Sequence, residues 1–168
     1  MEEQKGEPAR IKELVNDLVC DDIITCQEAR RELVTIGKPA VQPLIDAMSN
    51  HMNNQWVRWE ATKALGQIGD PAATEALIDA LEDANFDIRW LAADSLVSVG
   101  RGVVPRILQR LIQRPESDRL RLASHHIFRD LPGKDIREIL SPVSKAIEGN
   151  DPSVEVPMAA REALNKLK

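Results

Sequence analysis

The side chains best suited to chemistry in this sequence are three histidines, two cysteines and a row of arginines. His125 and His126 are adjacent, so on a helix their side chains diverge by about 100° and do not readily share a metal ion. Cys20 and Cys26 lack the further Cys or His of a zinc motif, and we expect reduced thiols, with a redox or metal role as the alternative. No Ser–His–Asp set, phosphate-binding loop or metal motif occurs. The sequence therefore predicts no catalytic residues, no metal site and no cofactor.

The row of arginines predicts a binding surface instead of a catalytic one. Arg106, Arg110 and Arg114 follow one another at intervals of four residues, which places them on one side of a helix. The preceding apolar segment carries acidic residues, including Asp79, and this mixed charge is typical of protein recognition. The net charge of −5, together with the acidic neighbour, disfavours a nucleic acid as partner. We therefore predict that these three arginines and Asp79 bind a protein or peptide.

The few aromatic residues form a second candidate surface. Only 3% of the 168 residues are aromatic, namely three Trp and two Phe. Trp59 and Trp90 occupy equivalent positions 31 residues apart, and Leu122 stands at the next equivalent position. Stacked units would align them as an apolar column, which either packs between helices or binds a partner. Trp56, at a predicted helix start, would extend that column.

An internal repeat with a period of 31 to 32 residues positions all these side chains. Each copy has small or apolar residues at i, i+4 and i+7, followed by glycine, which is one face of a helix and its stop. A second apolar segment follows each stop, so each unit is a helical hairpin that must stack on its neighbours to bury its core. The three clearest copies are Ala29, Leu33, Ile36, Gly37; Ala61, Leu65, Ile68, Gly69; and Ala92, Leu96, Val99, Gly100.

The repeat predicts one all-α domain over residues 1–168, a right-handed α-solenoid of about five hairpins with the last one incomplete. Thr25 begins a segment with capping-box spacing for the first repeat helix, and Pro142 predicts a kink inside a later one. The last helix has no following partner, so its edge at Ala160 is expected either to self-associate or to face solvent. The predicted segments are a flexible tail at 1–7, a capping helix at 8–22, and repeats at about 25–50, 55–84, 86–115, 117–150 and 153–168.

Particular runs of residues carry a resemblance to a known family. Val57-Arg58-Trp59-Glu60-Ala61 and Ile68-Gly69-Asp70-Pro71 are matched by Ile88-Arg89-Trp90-Leu91-Ala92 and Val99-Gly100, and more loosely by Leu120-Arg121-Leu122. These units resemble HEAT-like repeats, in particular the short repeats of the phycobilisome-lyase HEAT family. The resemblance implies a structural polar ladder between repeats, built from Arg58, Arg89 and Arg121 with Asp83 and Asp87 as acidic partners.

The same resemblance allows several functions. The iron sites of deoxyhypusine hydroxylase need His-Glu pairs, and this sequence has none. A non-enzymatic, protein-binding scaffold is the function we expect. A bilin lyase-like subunit or chromophore-handling protein, and a nucleic-acid-binding or DNA-repair protein, remain the alternatives.

The expected location is cytoplasmic, without a membrane partner. No segment approaches eighteen uncharged apolar residues, the length that a membrane-spanning helix requires. The first residues are polar and acidic and lack the apolar core of a signal peptide.

Overall fold

The computed structural model describes residues 3–19 and 22–167, with side chains from residue 6 onward. Within those residues the secondary structure is helical throughout. The α-helices are α1 (Glu3–Asn16), α2 (Ile23–Ile36), α3 (Val41–Ser49), α4 (Gln55–Ile68), α5 (Thr74–Ala80), α6 (Phe86–Val99), α7 (Val104–Gln113), α8 (Asp118–Asp130), α9 (Lys134–Ile147) and α10 (Pro152–Lys166). Short 3-10 helices lie at Asp17–Val19, Lys38–Ala40, Pro71–Ala73 and Arg101–Val103.

The helices form two layers. In one layer α2, α4, α6 and α8 pack side by side in chain order. In the other, α3 contacts both α1 and α5, and ion pairs join α5 to α7. Successive hairpins therefore stack as the repeat predicts, and the core is the continuous apolar space between the layers. We refer below to the even layer (α2, α4, α6, α8) and the odd layer (α1, α3, α5, α7).

Side-chain caps define where the helices of the even layer begin. Asn54 accepts hydrogen bonds from the backbone N–H groups of Trp56 and Val57, at 2.8 and 3.0 Å. Asn85 and Ser117 cap α6 and α8 in the same way. At α2 the cap is Asp22, so the helix begins before Thr25, which the capping-box spacing had marked as its start.

The cap at Asp22 leads to a prediction about pH. Hydrogen bonds from the hydroxyl and backbone N–H of Thr25 lower the pKa of the Asp22 carboxyl. A lowered pKa stabilises the fold above the carboxyl's unfolded-state pKa, and this stabilisation is lost as pH falls through its folded-state value. Asp22→Ala should therefore lower the melting temperature modestly at neutral pH and have little effect in strong acid. Thermal unfolding across pH measures this, and a difference that does not depend on pH would contradict it.

Small residues allow the even-layer helices to approach closely. Ala61 and Ala92 are fully buried. A Cβ atom built on Gly66 of α4 would lie 2.9 Å from the Cβ of Ser95 on α6, and closer still to its hydroxyl oxygen. Glycine at residue 66 is therefore required by the spacing of α4 and α6, whereas Gly69 ends α4 in the left-handed conformation that the repeat pattern predicts.

The C-terminal part differs from the simple repeat. Helix α9 runs unbroken through Pro142, so the expected kink does not interrupt it. Helix α10 packs against α7 and α9, which places it beside the odd layer instead of extending the even one. Ala160 is fully buried and Leu164 packs against the core. Within the described residues, the open edge that we expected at Ala160 is therefore closed by the chain itself.

Two expectations for the N-terminal part also change. Helix α1 begins at Glu3, inside the segment for which the sequence predicted a flexible tail. Cys26 forms a disulfide bond, which corrects the expectation of a reduced thiol there, and Cys20 lies outside the described residues. None of the helices described is both long enough and apolar enough to cross a membrane.

Candidate protein-binding surface

A buried ion pair links successive repeats and holds the helices in register. The guanidinium of Arg58 on α4 pairs with the carboxylate of Asp83, just after α5, and both residues are less than 10% exposed. The Nε of Arg58 also donates to the carbonyl of Met48, at the end of α3, over 2.9 Å. Arg58 thus ties two consecutive odd-layer helices to one even-layer helix.

Arg89 and Arg121 occupy the position equivalent to Arg58 in the next two repeats, but within the residues that the structure describes neither pairs with a carboxylate of a following repeat. Both donate to backbone carbonyls instead. Nη1 of Arg89 donates to the carbonyls of Asp83 and Ala84, at 2.7 and 3.0 Å. Arg121 donates to the carbonyl of Pro115 and pairs with Asp118 of its own helix. Among the described residues Arg89 has no hydrogen bond to Asp87, so this predicted pairing is absent from the ladder.

The odd-layer arginines are already paired within the chain. Arg106 lies 3.4 Å from Glu75, Arg110 pairs with Asp79, and Arg114 Nη2 lies 3.1 Å from a carboxylate oxygen of Glu82. These contacts connect α7 to α5 and the residues that follow it. The arginines and the acidic residues that we predicted to bind a partner therefore neutralise each other between α5 and α7.

The even layer instead exposes a large apolar surface. Phe86 and Trp90 of α6 and Leu122 of α8 are 62%, 46% and 69% exposed. They line a groove between these helices, and the rings of Phe86 and Trp90 stack with their centroids 6.0 Å apart. We call this the aromatic groove, lined by Phe86, Arg89, Trp90, Ala93, Arg119, Leu122, Ala123 and His126.

His126 forms the floor of the aromatic groove. Its ring lies 4.1 Å from the Trp90 ring, between centroids, at an interplanar angle of 30°. Nδ1 accepts a hydrogen bond from Arg129 Nη2 at 2.9 Å, and Nε2 lies 2.9 Å from an Asp94 carboxylate oxygen and so donates to it. Hydrogen bonds on both ring nitrogens fix the imidazole plane and, through stacking, the position of Trp90.

The Asp130 carboxylate beside this network has a pKa below its usual value. The side-chain hydrogen bond from Arg129 lowers the pKa of Asp130, and the same contact raises the pKa of the guanidinium. His125, the neighbour of His126, points elsewhere, with Nε2 3.0 Å from a carboxylate oxygen of Glu148. The two adjacent histidines thus have separate environments, as their divergence on a helix requires.

The other two tryptophans extend the apolar surface onto α4. The rings of Trp56 and Trp59 meet edge to face with centroids 6.3 Å apart, and the ammonium of Lys63 lies 4.5 Å from the centre of the Trp59 ring. Trp56 is 53% exposed and Trp59 is half-buried. Trp59, Phe86 and Trp90 line a second depression next to the aromatic groove, so the surface continues from α4 to α8.

The dimensions of the aromatic groove limit what it can hold. Its volume is about 120 Å³, whereas small-molecule sites typically have ~300–1,000 Å³. One or two side chains of a protein would fill it, and its lining is mostly apolar. Of the residues described, no three His, Cys, Asp or Glu side chains group together in a way that could hold a metal ion.

Sequence reasoning missed three contributors to this surface. Phe86 precedes Trp90 by one helical turn, and this i, i+4 spacing was a usable signal. Arg119 and His126 reach the groove only because α8 packs beside α6, and no local pattern reports that approach.

Stacked helical hairpins in two layers define an α-solenoid repeat protein. The family model for HEAT repeats matches residues 11–97 and again residues 41–127, which together are more than half of the chain. The chain therefore belongs to the HEAT-repeat family. The match is to HEAT repeats in general, so the short phycobilisome-lyase variety stays a resemblance. No curated protein matches the chain.

Proposed function

We propose that this HEAT-repeat chain is a non-enzymatic scaffold that binds a protein or peptide through the aromatic groove and the adjoining tryptophan surface. HEAT repeats generally serve as protein-interaction scaffolds, which supports the class of function. The observation that carries the choice of surface is the exposure of Trp56, Phe86, Trp90 and Leu122 on three neighbouring helices of the even layer. Exposed Trp and Arg are the residue types that most often dominate binding energy at interfaces.

The arginines of α7 are the weaker candidate for the binding surface. A partner that used Arg106 or Arg110 would have to replace carboxylates that already contact them. Such an exchange of one exposed ion pair for another yields little free energy. Their contacts support a role in holding α7 against α5.

The two alternative functions have less support. A chromophore would need more room than the aromatic groove provides. A nucleic acid would need a track of free cations, and the longest basic row in the chain is neutralised by Glu75, Asp79 and Glu82.

Affinity capture with matched variants tests the proposal. Wild-type chain, Trp90→Ala and the double variant Arg106→Ala/Arg110→Ala would each be immobilised and exposed to an extract of cells that contain the protein naturally. Proteins enriched by the wild type should fall by tenfold or more with Trp90→Ala, since truncating an interface Trp often costs at least ~2 kcal/mol. They should be retained by the double variant.

Circular dichroism of each variant would show that the helices are intact. Retention by Trp90→Ala together with loss in the arginine double variant would contradict the proposal and identify α7 as the binding helix.

A further inference from the structure

Two arginines at one edge of the aromatic groove have no carboxylate partner among the described residues. Nη1 of Arg89 donates to the carbonyls of Asp83 and Ala84. Nη1 of Arg119 donates to the carbonyls of Glu82 and Asp83, at 3.2 and 3.5 Å. Both guanidinium groups therefore converge on the Asp83 carbonyl, which holds two positive charges close together beside an apolar groove.

The free edge of each guanidinium suits a carboxylate. In the part of the chain that the structure describes, Nε and Nη2 of Arg89 and of Arg119 make no hydrogen bond. These two N–H groups point in parallel and form the fork that a carboxylate occupies with two hydrogen bonds. Each arginine thus offers one two-donor fork for a carboxylate, and the two forks lie at the same edge of the aromatic groove.

The two carboxylates whose backbone carbonyls hold these arginines, Glu82 and Asp83, are already engaged elsewhere. Asp83 pairs with Arg58 and accepts from the backbone N–H of Asn85 at 2.8 Å. Glu82 lies 3.1 Å from Arg114 and accepts from the Ser117 hydroxyl. Neither can turn to the free edges of the two arginines without breaking these contacts.

We propose that the aromatic groove and these two arginines form one site for an acidic peptide segment with an apolar residue beside its carboxylates. The inference rests on the proposed function and adds the chemistry of the partner. The apolar side chain lies between Phe86, Trp90 and Leu122, and the adjacent carboxylates bind Arg89 and Arg119. The groove supplies burial and the arginines supply charge complementarity and direction.

A single-stranded nucleic acid is the competing occupant, because bases stack on aromatic rings and phosphates bind arginines. The surroundings favour the peptide. Asp87 and Asp94 are exposed on the same helix as Trp90, and the whole chain carries a net charge of −5. A phosphate backbone is charged at every nucleotide and would meet these carboxylates beyond the two arginines, whereas a peptide needs carboxylates only opposite Arg89 and Arg119.

Fluorine NMR of the full chain labelled with fluorotryptophan provides the test. The three tryptophans give three resonances, which single Trp→Phe variants assign. The probes are a capped octapeptide with a central leucine–phenylalanine pair flanked by glutamates, the same peptide with lysines for the glutamates, and an oligothymidine of equal length. We expect the glutamate peptide to shift the Trp90 resonance more than the other two tryptophan resonances. At low salt it should bind about tenfold more tightly than the lysine peptide.

Substitutions test whether Arg89 and Arg119 contribute to binding of the peptide and not only to the fold. Arg89→Gln/Arg119→Gln should reduce the affinity for the glutamate peptide about tenfold, whereas Arg106→Gln/Arg110→Gln should leave it unchanged. Because Arg89 also holds backbone carbonyls, Leu122→Glu provides a second test at a largely exposed residue. Leu122→Gln removes the same apolar contact without adding a charge, so Leu122→Glu should weaken binding of the glutamate peptide more than Leu122→Gln does, because only the glutamate competes for the two arginines.

The outcomes distinguish the preference for an acidic peptide from the proposed apolar binding surface itself. Equal binding of both peptides at Trp90 would overturn the acidic preference and leave the apolar binding surface standing. Binding of the oligothymidine alone would replace the peptide by a nucleic acid. If neither peptide moved any tryptophan resonance, both the acidic site and the proposed binding surface would be wrong.

Discussion

Replacing Arg58 by alanine is expected to lower the free energy of unfolding by about 3–5 kcal/mol, the usual loss when one member of a buried ion pair is removed. The variant leaves the Asp83 carboxylate, whose side chain is 3% exposed, without its cation. It also leaves the Met48 carbonyl without a donor. Urea unfolding followed by circular dichroism would measure the loss as a lower midpoint with an unchanged slope.

A matched exposed pair provides the control for Arg58. Arg106 and Glu75 have side chains about half exposed, so Arg106→Ala should cost about 1 kcal/mol or less. Asp83→Asn in the Arg58→Ala background should recover part of the stability, because it removes the uncompensated charge. Equal losses for Arg58→Ala and Arg106→Ala would show that the ladder does not hold the repeats together.

Gly66→Ala is expected to destabilise the chain by about 1–3 kcal/mol, although alanine favours a helix over glycine by ~1 kcal/mol. The added methyl would overlap the buried Ser95, because its carbon would lie only 2.9 Å from the Ser95 Cβ, closer than van der Waals contact allows. The Ser95 hydroxyl donates to the Leu91 carbonyl at 2.7 Å, so a rotation of Ser95 to make room would break that bond. Helices α4 and α6 would then have to separate.

The matched control is Gly102→Ala, since no heavy atom lies within 4 Å of a Cβ built there. Its effect on thermal stability should be close to zero. Ser95→Gly combined with Gly66→Ala should give a favourable coupling energy in a double-mutant cycle, because the space freed on α6 accepts the methyl of α4. A stabilising Gly66→Ala would mean that the two helices are farther apart than the structure has them.

Most of the fold could be predicted because local sequence features mark where the helices of each repeat end and where they pack closely. The glycine at the end of α4 and the small residue Ala61 carry local requirements, namely a left-handed turn and a close helix approach. The end of the stack could not be predicted in the same way. Helix α10 has an ordinary amphipathic pattern, and only the packing of α7 and α9 decides that it lies beside the odd layer. The repeat pattern predicted that α10 begins a further hairpin, which would have placed it in the even layer.

The candidate site was predictable in part for the same reason. Trp59 and Trp90 recur at the repeat period, so their common surface followed from the sequence. The pairing state of the arginines did not follow. Arg106 and Arg89 look alike in sequence, yet Arg106 lies beside the Glu75 carboxylate while Arg89 reaches only carbonyl oxygens. Which arginine remains available to a partner depends on contacts between helices that sequence spacing does not encode.

Site-specific photo-cross-linking tests the central claim, that the even layer binds the partner, most directly. A photoreactive amino acid would replace Leu122 at the rim of the aromatic groove or, in a separate chain, the exposed Gln109 on α7. On irradiation in cells that contain the protein naturally, the group at residue 122 should yield a discrete cross-linked product that is lost when Trp90→Ala is added. The group at residue 109 should not yield it. The same product from both positions, or from residue 109 alone, would contradict the account.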